Sequence, residues 1–83
     1  MGKRAEAEEA KAERIIAEEL ERRRWTAAEL KSRAKGDATK VALAARLRAE
    51  TTMTVGWIAE PLEMGRRGYL NHLLYLRRKS ANE

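Results

Sequence analysis

The stretch that decides the fold is TVGWIAEPLEMGRRGYLNHLL, residues 54–74. Its apolar residues recur at the three- and four-residue spacing of a helix, on both sides of a short break that contains glycine. The break, Glu63-Met64-Gly65, has the length and composition of a tight turn. We therefore predict a helix from Val55 to about Leu62 and another from about Arg66 to Arg78, joined as a helix-turn-helix.

The apolar residues of this motif have expected places. Ala59 is the small residue at which the second helix can cross the first, and Met64 is expected to fill the turn. Core positions follow from the helical spacing: Ile58, Leu62, Leu70 and Leu73.

Upstream of the motif, cap signals divide the chain into three more helices. Residues 5–24 are rich in Ala, Glu, Lys and Arg, which favour a long helix whose first turns are solvated and frayed. Thr26 and Glu29 form the pattern of a capping box, in which each side chain bonds the backbone of the other, for a short helix to about Ala34. Gly36 is expected to follow that helix as its C-terminal signal.

Two further caps complete the predicted helices. Asp37 is the expected N-cap of a third helix, from Ala38 to about Ala49, and Thr54 that of the fourth. The fold class is therefore all-α, a long N-terminal helix followed by a small helical domain that ends in a helix-turn-helix. The predicted parts are a charged, partly solvated helix (1–24), a helical domain (25–79, with the motif at about 54–78) and a disordered tail (80–83).

The expected core consists of a few large side chains, because many of the hydrophobic residues are alanine and only 5% of the chain is aromatic. Such a core supports a small helical domain and no deep catalytic cavity. We expect both tryptophans to belong to it. The predicted core residues are Ile15, Ile16, Leu20, Trp25, Leu30, Val41, Leu43, Leu47, Trp57, Ile58, Leu62, Leu70, Leu73, Leu74 and Leu76.

Several classes of chemistry lack the residues that they need. The chain has no cysteine and one histidine, His72, so we expect no disulfide and no metal site. No set of side chains suits nucleophilic catalysis and no glycine-rich loop suits a phosphate cradle, so we expect no enzyme, no cofactor and no small-molecule substrate. No apolar run approaches the ~20 residues of a membrane span, which predicts no membrane partner. The absence of cysteine is compatible with a cytoplasmic location.

Positive charge is concentrated near the C-terminus. The net charge is +5, yet residues 1–24 carry seven basic and seven acidic residues, so the excess lies entirely in 25–83. Residues 64–79 contain Arg66, Arg67, Arg77, Arg78 and Lys79 and no acid. This distribution favours a nucleic-acid partner.

The basic helix, about 66–78, is the predicted recognition helix. In a helix-turn-helix, the N-terminal part of the second helix enters the major groove, where arginine can bond guanine and asparagine adenine. The C-terminal cations suit phosphates. The predicted DNA-binding residues are Arg66, Arg67, Tyr69, Asn71, His72, Arg77, Arg78 and Lys79.

Three residues interrupt the helical pattern and leave alternatives open. Pro61 removes an amide bond to Trp57, so the fourth helix either kinks and ends there or is unusually short. Gly56 and Gly68 each weaken a helix by ~1 kcal/mol relative to alanine. Either their backbone closely approaches DNA or a partner helix, or the weakness is simply tolerated.

The leading hypothesis is a small, non-catalytic module that binds duplex or hairpin DNA. The alternative is a helical interaction module, such as a homodimer through the N-terminal helix, although sustained heptads are missing. A third hypothesis is that the chain binds single-stranded DNA or RNA. The small number of aromatic residues argues against it, because such binding usually stacks bases on aromatic side chains.

Residues 11–20, Trp25-Thr26 and above all the run from Lys35 to Gly65 resemble the C-terminal segment of bacterial REP-associated tyrosine transposases. The resemblance covers about Lys11 to Arg78 and implies a DNA-associated role in recognising the element or repeat. It does not imply catalysis, because those enzymes cut with a tyrosine in a separate α+β domain that holds a metal. Pro61 departs from the basic or polar residue of the family at that position.

Overall fold

The described chain contains five helices. The computed structural model describes the backbone of residues 2–81 and the side chains of residues 8–80. The helices are α1 (Gly2–Arg23), α2 (Ala27–Ser32), α3 (Ala38–Glu50), α4 (Val55–Ala59) and α5 (Arg67–Ala81), and no strand occurs between residues 2 and 81. Helix makes up 74% of the chain, which confirms the all-α class. None of these helices has both the length and the apolar character needed to cross a bilayer.

Three predicted side-chain caps begin helices where they were expected. Thr26 Oγ1 accepts from Glu29 N at 3.1 Å, and Thr54 Oγ1 accepts from Trp57 N at 3.1 Å. Asp37 Oδ1 accepts from Thr39 N at 2.8 Å. Only half of the predicted capping box forms, because the Glu29 carboxylate accepts from Arg33 Nε at 2.7 Å instead of turning back toward Thr26.

Helix α1 ends in a turn that uses a left-handed arginine. Trp25 N donates to Leu20 O at 2.8 Å and Arg24 N donates to Glu21 O at 3.1 Å, which is the hydrogen-bond pattern of a Schellman motif. Arg24 has a φ of 61°, a conformation that glycine adopts without the steric cost of a Cβ. The end of α1 therefore carries local strain. The predicted fraying of its first turns stays a prediction.

Helix α4 is shorter than predicted, and Pro61 is the reason. It ends at Ala59 instead of Leu62, because Pro61 has no N–H to donate to Trp57 O. The chain then repeats the motif seen after α1: Met64 N donates to Ala59 O at 2.9 Å and Glu63 N donates to Glu60 O at 3.1 Å, with Glu63 at a φ of 55°. Gly65 follows with a φ of 78°.

Helix α5 is displaced from its predicted bounds toward the C-terminus. It begins at Arg67. The carbonyl oxygen of the preceding residue, Arg66, accepts hydrogen bonds from Tyr69 N and Leu70 N. It continues through Ser80 and Ala81, which the prediction placed in a disordered tail, whereas residues 82 and 83 lie outside the described residues. Every residue from Tyr75 to Ser80 is exposed, so the last turns of α5 extend beyond the core.

Helix α3 is the centre of the packing, because α1, α4 and α5 all contact it, and α4 also contacts α5. The hydrophobic effect of burying their shared apolar faces is the main force that holds these elements together. Leu20, Met53, Val55, Trp57, Leu73 and Leu74 are partly buried against the core. The buried cluster itself consists of Ala12, Ile15, Ile16, Val41, Leu43, Ala44, Leu47, Ile58, Ala59, Leu62, Met64 and Leu70.

Three predicted core residues lie outside this cluster and the side chains packed against it, and one of them, Leu30, is nevertheless buried. Leu76 is 45% exposed. It follows Leu70 by six residues and therefore points about 240° around the helix from that buried side chain. Trp25 is half-buried outside the cluster, with the Arg33 guanidinium 4.5 Å from its ring centroid. The predicted place of Leu76 in the core is thus wrong, and Trp25 covers the α1–α2 junction with a cation on its face.

A buried carboxylate joins α1 to α3. Glu19 is 6% exposed and accepts hydrogen bonds from Arg22, Arg23 and, across the helix interface, Arg46. The hydrogen bond from Arg22, together with those from Arg46 and Arg23, lowers the pKa of Glu19 below its usual 4.5, while burial acts in the opposite direction. The acid-base state of Glu19 is therefore linked to the docking of α1.

Replacing Arg24 with glycine is expected to raise the free energy of unfolding by about 0.5–1 kcal/mol, because it removes the left-handed strain of a residue with a Cβ. Arg24→Ala is the matched control, since it removes the same charge and keeps the Cβ. Urea unfolding of the three proteins measures the difference. Equal stabilities for the glycine and alanine variants would contradict the assignment of strain to Arg24.

Acid is expected to weaken the fold through Glu19. A lowered folded-state pKa means that the stabilisation is present above the unfolded value of about 4.5 and is lost as pH falls through the folded-state pKa. Glu19→Gln should therefore reduce stability by about 1–2 kcal/mol at neutral pH and flatten its decline below pH ~4.5. Glu18→Gln is the control, because Glu18 is exposed and, within the described side chains, pairs with Arg14 alone. Thermal unfolding across the acid range measures the effect. If the stabilities of Glu19→Gln and Glu18→Gln fall equally as the pH is lowered, the role assigned to Glu19 is wrong.

Candidate nucleic-acid interface

All eight sequence-predicted DNA-binding side chains are exposed, but they do not meet at one point. They are distributed around α5 on two flanks and an outward face between them. The rotation of about 100° per residue explains the separation. We call these regions the turn flank, the groove flank and the outward face.

The turn flank contains Arg66 and Tyr69. They line one shallow cavity together with Lys35, which comes from the segment between α2 and α3. A Cβ on Gly36 would lie 2.9 Å from the Tyr69 hydroxyl oxygen, so glycine at 36 makes room for this tyrosine. Lys35 in turn lies over Gly65, where its Cδ would be 3.1 Å from an added Cβ. The two turns and the start of α5 thus form one basic surface.

The groove flank contains Asn71, Arg77 and Arg78. They line an open groove between α5 and the C-terminal half of α3, and Arg48 of α3 forms part of the opposite wall. Arg48 Nη1 donates to Met53 O at 3.4 Å, which uses one of the five N–H donors of its guanidinium group. The groove therefore has cations on both walls.

The outward face carries Gly68, His72, Tyr75 and Lys79, which follow one another at three- or four-residue spacing and so lie on one side of the helix. Tyr75 is 51% exposed. Arg67 and Gly68 line both the cavity of the turn flank and a second cavity against the start of α4, so the first turn of α5 joins the two flanks.

The cations of this surface have no carboxylate partner within the described side chains. Among residues 8–80, the arginines that pair with carboxylates are Arg14, Arg22, Arg23, Arg33 and Arg46. No salt bridge in that part of the chain involves Lys35, Arg48 or a cation of α5. The cations around α5 are consequently available to an external anion, whereas Arg22, Arg23 and Arg46 neutralise Glu19 where α1 packs on α3.

Acidic side chains cluster on a different side. Glu9 Oε2 accepts from the Trp57 indole N–H at 3.3 Å, and Glu8 Oε1 accepts from Thr52 N at 3.0 Å. Glu13 and Glu60 lie beside the same tryptophan. Glu8, Glu9 and Glu13 lie on α1, which packs on α3 and makes no contact with α5 within the described backbone, so these three carboxylates do not neutralise the basic surface.

A buried lysine holds the turn flank together. Lys40 is 1% exposed, and its Nζ donates to Arg33 O at 3.0 Å and to Glu63 O at 3.2 Å. Burial lowers the pKa of Lys40, and the carboxylates of Asp37 and Glu63 partly oppose that effect. One ammonium group thereby ties the segment that carries Lys35 to the turn that carries Arg66.

Sequence reasoning missed Lys35, Arg48 and Lys40. The first two lie about 20–35 residues before the α5 residues that they accompany, and only the packing of α3 against α5 brings them to that surface. A buried lysine has no pattern of its own in one sequence, because lysine is almost always exposed unless it is paired. The position of Lys40 beside Val41 in the apolar phase of α3 is the one available signal.

No group of three His, Cys, Asp or Glu side chains able to hold a metal ion occurs in the part of the chain that the structure describes. Comparison of the chain with known protein families, with curated proteins and with solved structures finds no significant match.

Replacing Lys40 with methionine is expected to lower the free energy of unfolding by about 1–3 kcal/mol, because two carbonyl groups lose a charged donor. Lys40→Ala should cost more, since it also leaves a cavity. Chemical denaturation measures both. A methionine variant as stable as the unsubstituted protein would show that the two hydrogen bonds are not needed to hold the turns.

Proposed function

We propose that this chain is a small, non-catalytic DNA-binding module of the helix-turn-helix type, in which α5 is the recognition helix. The observation that carries the proposal is the set of cations around α5 that pair with no carboxylate. Arginine and lysine side chains that neutralise phosphates supply most of the sequence-independent affinity for DNA. Without a bound polyanion, these cations repel one another.

The packing of α4 and α5 supports the motif. Ala59, which is 2% exposed, lies in α4, which packs against both α3 and α5. Met64 is fully buried in the turn between the two helices. Since residues 60–62 prolong the turn of α4, four residues, Glu63 to Arg66, make the connection, and glycine is one of them. Two helices joined by three or four residues that often include glycine are typical of this motif.

The layout of the surface suggests how DNA would be held. An α-helix with its side chains is about 10–12 Å wide and fits a major groove of about 12 Å. The outward face of α5 would meet base edges, with His72 on that face and Asn71 on the adjoining groove flank as hydrogen-bonding groups. Lys35 and Arg66 on one flank, and Arg48 and Arg78 on the other, would each meet a phosphate backbone.

The resemblance to the C-terminal segment of REP-associated tyrosine transposases adds a context to this proposal. It favours DNA of a repeated element as the target, with hairpin and single-stranded forms worth testing, and leaves cleavage to a separate domain. Dimerisation through α1 has less support. Ala12, Ile15 and Ile16 are already buried within the chain, and the only exposed apolar side chains of α1 within residues 8–23 are alanines.

Titration of labelled duplex, hairpin and single-stranded DNA at two salt concentrations tests the proposal. We expect binding at low salt that weakens steeply with added salt, because bound phosphates release their counterions. Absence of binding at low salt, or binding indifferent to salt, would refute a DNA-binding function.

Single substitutions on the two flanks sharpen that test. Lys35→Ala and Arg48→Ala should each reduce the slope of log affinity against log salt by ~0.9, the contribution of one phosphate contact. Arg14→Ala is the control, because Arg14 is exposed on α1 and, among residues 8–80, pairs only with Glu18. Slopes that stay unchanged in both flank variants would remove these residues from the interface.

A further inference from the structure

The fold itself gives no reason for glycine at position 68. Gly68 is the second residue of α5, and a Cβ added to it would meet nothing within 4 Å. The other glycines among residues 8–80 have close neighbours. Gly65 has a left-handed φ and is crowded by Lys35, and Gly36 makes room for the Tyr69 hydroxyl group. Gly56 is in ordinary contact with Arg67, 3.8 Å from an added Cβ to Arg67 Cδ.

Open space at Gly68 removes one explanation that the sequence allows, close approach to another helix of the chain, and the backbone conformation gives no reason for glycine either. A partner helix within the chain would lie close to an added Cβ, and none does. A special backbone conformation is also excluded, because Gly68 is helical and its φ is not in the left-handed region. Glycine near the start of an exposed helix nevertheless weakens that helix relative to alanine.

The surroundings of Gly68 identify what could approach it. Gly68 lies between the two cation-bearing flanks and lines the cavities on both sides of the first turn of α5. Lys35 and Arg66 border one cavity, and Asn71 and Thr54 border the other. The helix backbone is thus bare at the point that the surrounding positive charge would bring nearest to a polyanion.

We propose that Gly68 is the point of closest approach between α5 and double-stranded DNA, where the bare backbone lies in van der Waals contact with the wall or floor of the major groove. This inference rests on the proposed DNA-binding function and deepens it by naming the duplex as target. A helix of about 10–12 Å in a groove of about 12 Å leaves little space, so a single missing side chain decides how deeply it enters. Single-stranded DNA has no second wall and can move aside.

Gly68→Ala should therefore have opposite effects on stability and on binding. Alanine favours the helix, so the melting temperature, measured by circular dichroism, should rise by about 4–8 °C. Affinity for the duplex, measured by fluorescence anisotropy at one low salt concentration, should fall about tenfold, as for the loss of one specific contact. Gly68→Gln, which adds a longer polar side chain, should bind still more weakly. Both variants should lose less affinity for the separated single strand than for the duplex.

Ala17→Gly is the matched control, because Ala17 is exposed on α1, which does not contact α5. It should lower the melting temperature and leave the affinity for DNA unchanged. If the unsubstituted protein binds duplex DNA and Gly68→Ala binds equally well, the close approach is wrong while the DNA-binding function stands. Equal losses on duplex and single strand would overturn the duplex as target. No binding by the unsubstituted protein would overturn the proposed function itself.

Discussion

The arrangement around α5 depends on a buried ammonium group. Lys40 extends from the central helix α3, and its charge is satisfied by two backbone carbonyls that are 30 residues apart in sequence. A buried charge without partners would be strongly unfavourable, so both turns must close on it for the fold to be stable. The two hydrogen bonds of the Lys40 ammonium group thereby set the positions of the segment before α3 and of the turn before α5. Both of these segments contribute cations to the candidate interface.

Three sets of cations among residues 8–80 have different physical roles. Arg22, Arg23 and Arg46 neutralise Glu19 and help to hold α1 on α3. Lys40 is buried and structural. The cations around α5 have no acidic partner among residues 8–80 and are exposed. The net charge of the chain therefore understates the positive potential of the α5 surface, since the acids that reduce the sum lie mainly on other elements.

Local signals in the sequence predicted what is local in the structure. The caps at Thr26, Asp37 and Thr54 were correct because an N-cap hydroxyl or carboxylate bonds an amide two or three residues away. Pro61 indicated a break that the structure places two residues before it. Tertiary features were not predictable in the same way. Helical spacing alone could not show that α5 extends beyond the core, which leaves Leu76 exposed. It also could not show that Glu19 and Lys40 are buried with partners from distant segments.

The two ends of α5 differ electrically even though both carry arginine. At the start of the helix, the backbone dipoles add positive potential to that of Arg66 and Arg67, while at the end their negative pole is offset by Arg77, Arg78 and Lys79. The last turns extend beyond the core, so these three cations also stabilise the free helix end. A phosphate bound there would compete with that role, whereas one bound near the first turn would not. Helix α5 would thus bind anions more firmly at its first turn than at its last, and this difference would favour one orientation of the helix on a polyanion.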